Sequence, residues 1–374
     1  MYVEASRVLF LVGGLIKNTL LSYLTCKGKV EMERLTIIDI AKLCGVGVTT
    51  VSRAINNHPD INEETKAMVM RVIKENHYVP NNSARNLKRS DSKTIAVLIK
   101  GISNPFFSPM IKVFEKEIQR KKYSFILQRV DENQDEIEVA IELEKEKRLK
   151  GIVFLGGLFS HSQEKLQQLT VPFVLSTIGM TEEIDLSDYS SVSVDDLNES
   201  YKIVDYLCSL GHEKIAVITA PEDDVSIGKL RYEGYKKALA DHDIAYNQRL
   251  VRRMKEDIDS YSMENGYAVT KELLESGEDF TAIFTLSDSM AIGACKAIFE
   301  AGKRVPEDYS VAGYDGLDIS FYYNPSITTI KQPVVEIAEA TIKILFDLIN
   351  KKVNHAHQIF PAELMVREST RSLL

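Results

Sequence analysis

Thr49, Thr50, Ser52 and Arg53 put short polar and basic side chains on one predicted helical face within residues 48–54. Side chains of this size can reach base edges and phosphates without holding a helix away from the DNA major groove. Val48 beside them has no hydrogen-bonding atom and can offer only apolar contact, for example to a thymine methyl. A second group of residues points to small-molecule chemistry. Arg231, near the start of a predicted helix, carries a planar fork of donors that can bridge two vicinal hydroxyls or a carboxylate. Asp315 directly follows an apolar strand, where its carboxylate could accept from hydroxyls. Phe106 and Phe107, at a strand-end loop, could stack on a pyranose face or cover a cleft, with one of the two expected in the core. The plain alternative for Arg231 and Asp315 is that they pair with each other. Asp288 is expected to cap the helix of residues 289–300.

Other chemistries find little to stand on. No G-x-S-x-G, Walker loop or nucleophile–base pair occurs, and the seven histidines are scattered, so no catalytic residue and no cofactor is expected. Cys26, Cys44, Cys208 and Cys295 form no C-x-x-C pair, which fits a reducing cytosol. His355 and His357 lack the accompanying Cys or carboxylate ligands of a metal site, and no metal is expected.

The elements that must position the polar face are short helices. Ile37, Ile40, Ala41 and Leu43 predict an apolar stripe, Gly45 a left-handed exit, and Val46 a plug for the elbow before the next helix. A third helix is predicted over residues 62–76, with Val69, Val72 and Ile73 closing a three-helix core. Pro80 then ends one element, and Asn81 or Asn82 can cap a short helix carrying Ala84 and Leu87. So short a helix is marginal alone and forms only when something holds it.

Ala41, Gly45, Val46, Thr50, Val51, Ser52 and Arg53, followed by Tyr78, Pro80, Asn81, Ala84, Arg85 and Leu87, resemble the headpiece and hinge of the lac repressor/galactose repressor family without a gap. The resemblance implies that Val48, Thr49 and Arg53 read bases. It also implies that Thr50, Ser52 and Asn56 belong to the same DNA-binding set. Ala84 and Leu87 would enter the minor groove from paired hinge helices, Leu87 as the wedge that kinks the duplex. Gly47 departs from the serine usual in the family, which removes a hydroxyl able to bond a phosphate.

Beyond residue 91 the pattern alternates strands and helices in two series. Residues 94–99, 124–129, 151–155, 171–175 and 192–194 form the first; residues 214–218, 282–284 and 310–314 form the second. Two such series imply two doubly wound α/β subdomains with a ligand cleft between their strand ends. The segments Ser103-Asn104-Pro105-Phe106-Phe107, Arg231-Tyr232-Glu233-Gly234-Tyr235 and Val311-Ala312-Gly313-Tyr314-Asp315-Gly316 resemble the periplasmic sugar-binding-protein fold that this family joins to its headpiece. Gly211-His212-Glu213-Lys214-Ile215-Ala216 and residues 287–293 continue the likeness. It implies effector contacts from Phe106, Phe107, Arg231 and Asp315, and from Ser287, where some relatives carry Asn.

The expected architecture is therefore an all-α helix-turn-helix headpiece plus a periplasmic-binding-protein-like α/β body of two doubly wound subdomains. Residues 32–80 form the DNA-binding domain, 81–92 the hinge helix and linker, and 93–374 the effector-binding and dimerisation domain. The subdomains are expected to be non-contiguous, about 93–193 plus 322–350 and 194–321 plus 351–374. Residues 1–31 are an apolar extension without a family counterpart, read as the product of an upstream start; no stable membrane association is expected. Formal charge agrees: residues 32–90 carry +3 while residues 91–374 carry −13, a small basic reader on an acidic body. The function implied is a cytoplasmic, ligand-controlled DNA-binding regulator of repressor type. Its expected partners are a second copy of itself, a near-palindromic double-stranded operator and a small effector, most simply a carbohydrate. A sugar-binding protein of a transport system is the alternative, and it leaves the headpiece unexplained.

Overall fold

The computed structural model describes residues 36–55, 57–76, 93–131, 134–159, 161–180, 185–222 and 226–374. The chain separates after Ser90 into two compact units. In the first, helix α1 (Ile37–Cys44) starts at a reciprocal cap. Thr36 accepts from the Asp39 amide and Asp39 accepts from the Thr36 amide at 2.9 Å. Gly45 at φ 64° ends the helix, returning its amide to the carbonyls of Ala41 and Lys42. Helices α2 (Val48–Ile55) and α3 (Glu63–Glu75) follow, the latter capped by Asn62. Ile40, Ala41, Val51, Ala54 and Val69 make the core, with Ile37, Val46, Val72 and Ile73 packed around it. Leu43, expected in the α1 stripe, is exposed instead. The spacing 37, 40, 41, 44 sets the stripe, and position 43 falls at its edge.

The second unit contains two six-stranded sheets. In chain order its elements are β1 (Thr94–Ile99), α4 (Phe107–Arg120), β2 (Ser124–Arg129), α5 (Glu136–Lys147), β3 (Gly151–Leu155), β4 (Leu158–Phe159), α6 (Gln163–Leu166), β5 (Phe173–Ser176), β6 (Gly179–Met180) and β7 (Ser191–Val194). Then come α7 (Asp196–Ser209), β8 (Ile215–Thr219), α8 (Ile227–Asp241), β9 (Val251–Arg253), α9 (Met263–Glu275), β10 (Ala282–Thr285), α10 (Asp288–Glu300), β11 (Ser310–Asp315) and α11 (Asp318–Tyr322). The chain ends with β12 (Thr328–Lys331), α12 (Val334–Ile349), β13 (His357–Phe360) and β14 (Glu363–Met365). The first sheet is parallel in the order β13-β7-β5-β3-β1-β2. The second runs β14-β12-β11-β10-β8-β9, with β14 antiparallel at its edge. Strands buried on both faces read as the continuous apolar runs of parallel sheets, as in β1 and β8.

The two sheets exchange the chain three times, around Asp195, between β12 and α12, and between β13 and β14. Helix α12 packs on α4 and on β3, β5 and β7, so it serves the first sheet. The last two crossings fall later than the expected residues 322 and 351, because Thr328–Lys331 joins the second sheet and His357–Phe360 returns to the first. Short edge strands such as β13 carry little apolar signal and escape a reading by periodicity. Glu199 and Lys202 of α7 fasten the first crossing to the third: Glu199 accepts from the Ala362 amide at 3.0 Å and Lys202 donates to its carbonyl at 2.9 Å. Two motif glycines permit close helix contact. A Cβ at Gly234 would sit 2.3 Å from the Leu197 carbonyl oxygen, and one at Gly293 2.0 Å from that of Met263.

Candidate functional site

Helix α2 buries Val51 and Ala54 and turns its other face outward. Thr49 and Arg53 are exposed, Val48 is 40% exposed, and Thr50 and Ser52 are half-buried. The polar set thus shares the outward side of a helix packed into the three-helix core, the arrangement a groove-reading helix needs. A Cβ at Gly47 would meet only Thr49 Oγ1 at 3.5 Å and Thr50 Oγ1 at 3.9 Å, so nothing in the fold demands glycine there. Asn56, Ala84 and Leu87 lie outside the described residues, as do residues 1–31.

The body's cleft is a cavity of about 550 Å³ between the carboxyl ends of the two sheets. Such a place and size suit a ligand site in an open α/β fold. Phe106, Phe107, Arg231 and Asp315 all line it. Both phenyl rings are also buried core members, in an edge-to-face pair with centroids 5.4 Å apart, so core packing and cleft lining fall to the same two residues.

On the second-subdomain wall Arg231 is fully enclosed. Its Nε donates to Asp196 at 2.8 Å, one terminal nitrogen donates to the Leu286 carbonyl at 2.6 Å, and its plane lies 3.8 Å from the Tyr314 ring centre. Asp315 stands 3.8 Å from the guanidinium, so Asp196 and not Asp315 is its principal partner. Burial works against the charge on Arg231, but the surrounding anions, Asp196 first, keep it firmly protonated. Burial pushes the Asp315 carboxyl well above the usual range, with Arg231 pulling the other way. Asp315 Oδ1 accepts from Gln332, which sits on the second crossing, at 3.0 Å. Its Oδ2 is buried without a partner among the described residues.

The first-subdomain wall carries a different network. Lys100, one residue past β1, reaches Glu136 Oε2 at 2.6 Å, and His161 Nε2 meets Glu136 Oε1 at 2.7 Å. Burial opposes the Glu136 charge, yet the His161 and Lys100 contacts outweigh it and hold the carboxyl below its usual range. Asp135, which caps α5, is taken by Lys165. Thr177, just past β5, leaves Oγ1 buried and unpartnered among the described residues. Thr177 and Asp315 also share an unusual backbone, with φ of 52° and 115°. A β-branched residue or a buried carboxylate in that region is strained, and such strain collects at functional positions.

Ser287 does not line the cavity. Its hydroxyl caps α10, accepting from the Met290 amide at 3.2 Å and donating to the Tyr261 carbonyl at 3.0 Å, which corrects the expected ligand contact. Asp288 is not the cap. It lies inside the helix and accepts from the Leu317 amide at 2.7 Å. Lys100, Glu136, His161, Thr177, Asp196 and Gln332 went unnoticed in the sequence. Only Lys100 and Thr177 had a signal, their place at the end of an apolar run. Among the described residues no group of three His, Cys, Asp or Glu could hold a metal, and no helix is long and apolar enough to cross a membrane. His357 bonds Ser191 and the Leu186 carbonyl.

A helix-turn-helix unit on the same chain as a two-sheet cleft defines a DNA-binding regulator with a periplasmic-binding-protein-like body. Residues 36–81 match the model of bacterial regulatory proteins of the lacI family, and residues 204–370 match the periplasmic binding protein-like domain. The chain is 42% identical over 337 residues to the HTH-type transcriptional regulator MalR of Clostridium butyricum, covering 90% of this chain and 99% of that one. Among solved structures it resembles the lac repressor dimer bound to operator and the anti-inducer ONPF, with a TM-score of 0.69 and 25% identity over 91% of this chain and 100% of the other. It also resembles the transcriptional regulator CelR–cellobiose complex, with a TM-score of 0.65 and 28% identity over 90% of this chain and 100% of the other. The chain belongs to the LacI family of transcriptional regulators, and the transport alternative is not supported.

Proposed function

We propose that this regulator acts in the cytoplasm as a homodimeric repressor that binds a near-palindromic operator through paired α2 helices and takes a carbohydrate effector in its cleft. Two-fold pairing presents two recognition helices to two half-sites. The observation that carries the effector reading is the pair of buried, unpartnered oxygens on opposite walls of one cavity, Thr177 Oγ1 and Asp315 Oδ2. A hydroxyl-rich ligand bridging them would satisfy both and draw the walls together. Closure would shift the first subdomain, to which the hinge segment connects in sequence. Ala84 and Leu87 of that segment are proposed to enter the minor groove, and a small shift between paired hinges suffices to release or seat them. Ligand and operator then affect each other's affinity by the same factor.

Calorimetric titration with a panel of sugars, followed by operator titration with and without each ligand that binds, tests this reading and gives the sign of the coupling. A cleft that binds ligand without changing operator affinity would overturn it. For DNA, Arg53→Ala is expected to cost about 1–3 kcal/mol of specific binding. Unchanged operator footprints would remove Arg53 from the reading set.

A further inference from the structure

The fixed charges of the cleft bear on which ligands can enter it. Besides His161, which sits on Glu136, two cations line the cavity among the described residues, Lys100 on one wall and Arg231 on the other. Both are already matched. Lys100 and Glu136 stand 2.6 Å apart with side chains 15% and 7% exposed. Arg231 and Asp196 stand 2.8 Å apart with side chains 4% and 6% exposed, and Asp315 lies beyond them. Four carboxylates line the cavity, Asp135, Glu136, Asp196 and Asp315. The body's remaining residues, 91–92, 132–133, 160, 181–184 and 223–225, contain no Lys, Arg or His. The unpartnered atom on the second wall is itself a carboxylate oxygen.

A phosphate or carboxylate brought into this space would lose water and meet no cation free to replace it. Desolvating an ion without a partner is costly, and taking Lys100 or Arg231 for the ligand would strand the buried carboxylate it now holds. A neutral hydroxyl has no such penalty and can donate to Asp315 or Thr177. The phenyl rings of Phe106 and Phe107 offer apolar surface to match the ring faces of a sugar.

We propose that the cleft selects an uncharged polyhydroxyl ligand and rejects phosphorylated or carboxylated forms of the same molecule, with the Lys100–Glu136 and Arg231–Asp196 pairs as the determinants. This rests on the effector reading above. Proton uptake by Asp315 would bring that wall nearer to neutral and would not create a surplus cation on it.

The test uses the full chain and a library of matched sugars, including glucose with glucose 6-phosphate and glucuronate, and cellobiose and trehalose with their 6-phosphates. Calorimetry and thermal shift read binding at moderate salt. The neutral member of a binding pair is expected to bind at least tenfold more tightly. An anionic member that binds as tightly or more tightly overturns this proposal and leaves the effector reading standing. Failure of the whole library to bind overturns the effector reading and this proposal with it. Glu136→Gln, which frees Lys100 from its anion, is expected to narrow the discrimination about tenfold by raising affinity for the 6-phosphates. Discrimination unchanged in that variant would show that the ion pair is not its cause.

Discussion

Arg231 on one wall of the cleft is held by a carboxylate, a backbone carbonyl and the face of Tyr314, whereas among the described residues Lys100 on the other wall pairs with Glu136 alone. Glu136 in turn has a second support in His161. The second-subdomain wall is thus a fixed template built around one guanidinium, and its anions depend on it. The first is a shared arrangement in which the anion sits at the centre and survives the loss of one neighbour. Equal numbers of ion pairs need not mean equal sensitivity. What matters is which member of the pair would be left alone when the other is removed.

The comparison breaks or holds on parallel removals. Arg231→Leu strands buried Asp196 and is expected to destabilise the body by about 3–5 kcal/mol. Lys100→Met leaves Glu136 with the His161 contact and is expected to cost less, about 1–3 kcal/mol. Denaturant unfolding of the two variants measures both, and equal losses would break the contrast. Asp315→Asn sharpens it from the other side. Asparagine keeps the shape, tolerates positive φ and removes a buried, incompletely bonded charge. Stability is therefore expected to stay level or rise, while affinity for a sugar that binds the wild-type protein falls by about 1–3 kcal/mol. Operator binding without sugar should persist. A variant with a full sugar response would take Asp315 out of the site.

The two walls also differed in how readable they were. Arg231 and Asp315 sit in short local patterns, one at a helix start and one at a strand end, and residue type with position suffices to single them out. The Lys100, Glu136 and His161 network gathers three segments separated by loops, and no local spacing reveals it. Thr177 stands at the end of an apolar run, but its left-handed backbone, which a β-branched residue disfavours, is not readable from that position. Ser287 shows the reverse error: a polar residue before a helix was given a ligand when its nearest need was to cap the chain. In the headpiece the three helices and the left-handed exit at Gly45 were legible, because stripes and turns there act within four residues. Leu43, which the spacing places on the apolar stripe, faces solvent instead.

Acid should act on the walls in opposite directions, with the smallest effect of the set. Glu136 titrates lower in the folded protein than its ordinary 4.5, so its stabilising contribution is complete above that pH and is lost as pH falls through the folded value. Asp315 titrates higher than its ordinary 3.8, so ionisation costs the folded state and acid relieves that cost. Hydrogen exchange, corrected for intrinsic rates, should show the first sheet losing protection relative to the second between pH 7 and pH 3. Parallel loss in both sheets would mean that the two carboxylates do not set the local balance.

The three crossings carry a consequence for synthesis on the ribosome. The headpiece is one continuous stretch and can close as soon as it emerges. The first sheet cannot, because its β7 edge ends at Val194 and waits for β13 at His357. Helix α12, which covers β3, β5 and β7, is also made late, at Val334–Ile349. At about 5–20 residues per second the nascent sheet would keep a bare apolar face and an open edge for roughly 10–30 s. Such an edge is a template for wrong pairing. Limited proteolysis of stalled, ribosome-bound chains would reveal it as a long interval in which β1 to β7 stay cleavable. The topology therefore leaves the first sheet unfinished while residues 195–357 are made, long after the whole headpiece has been synthesised.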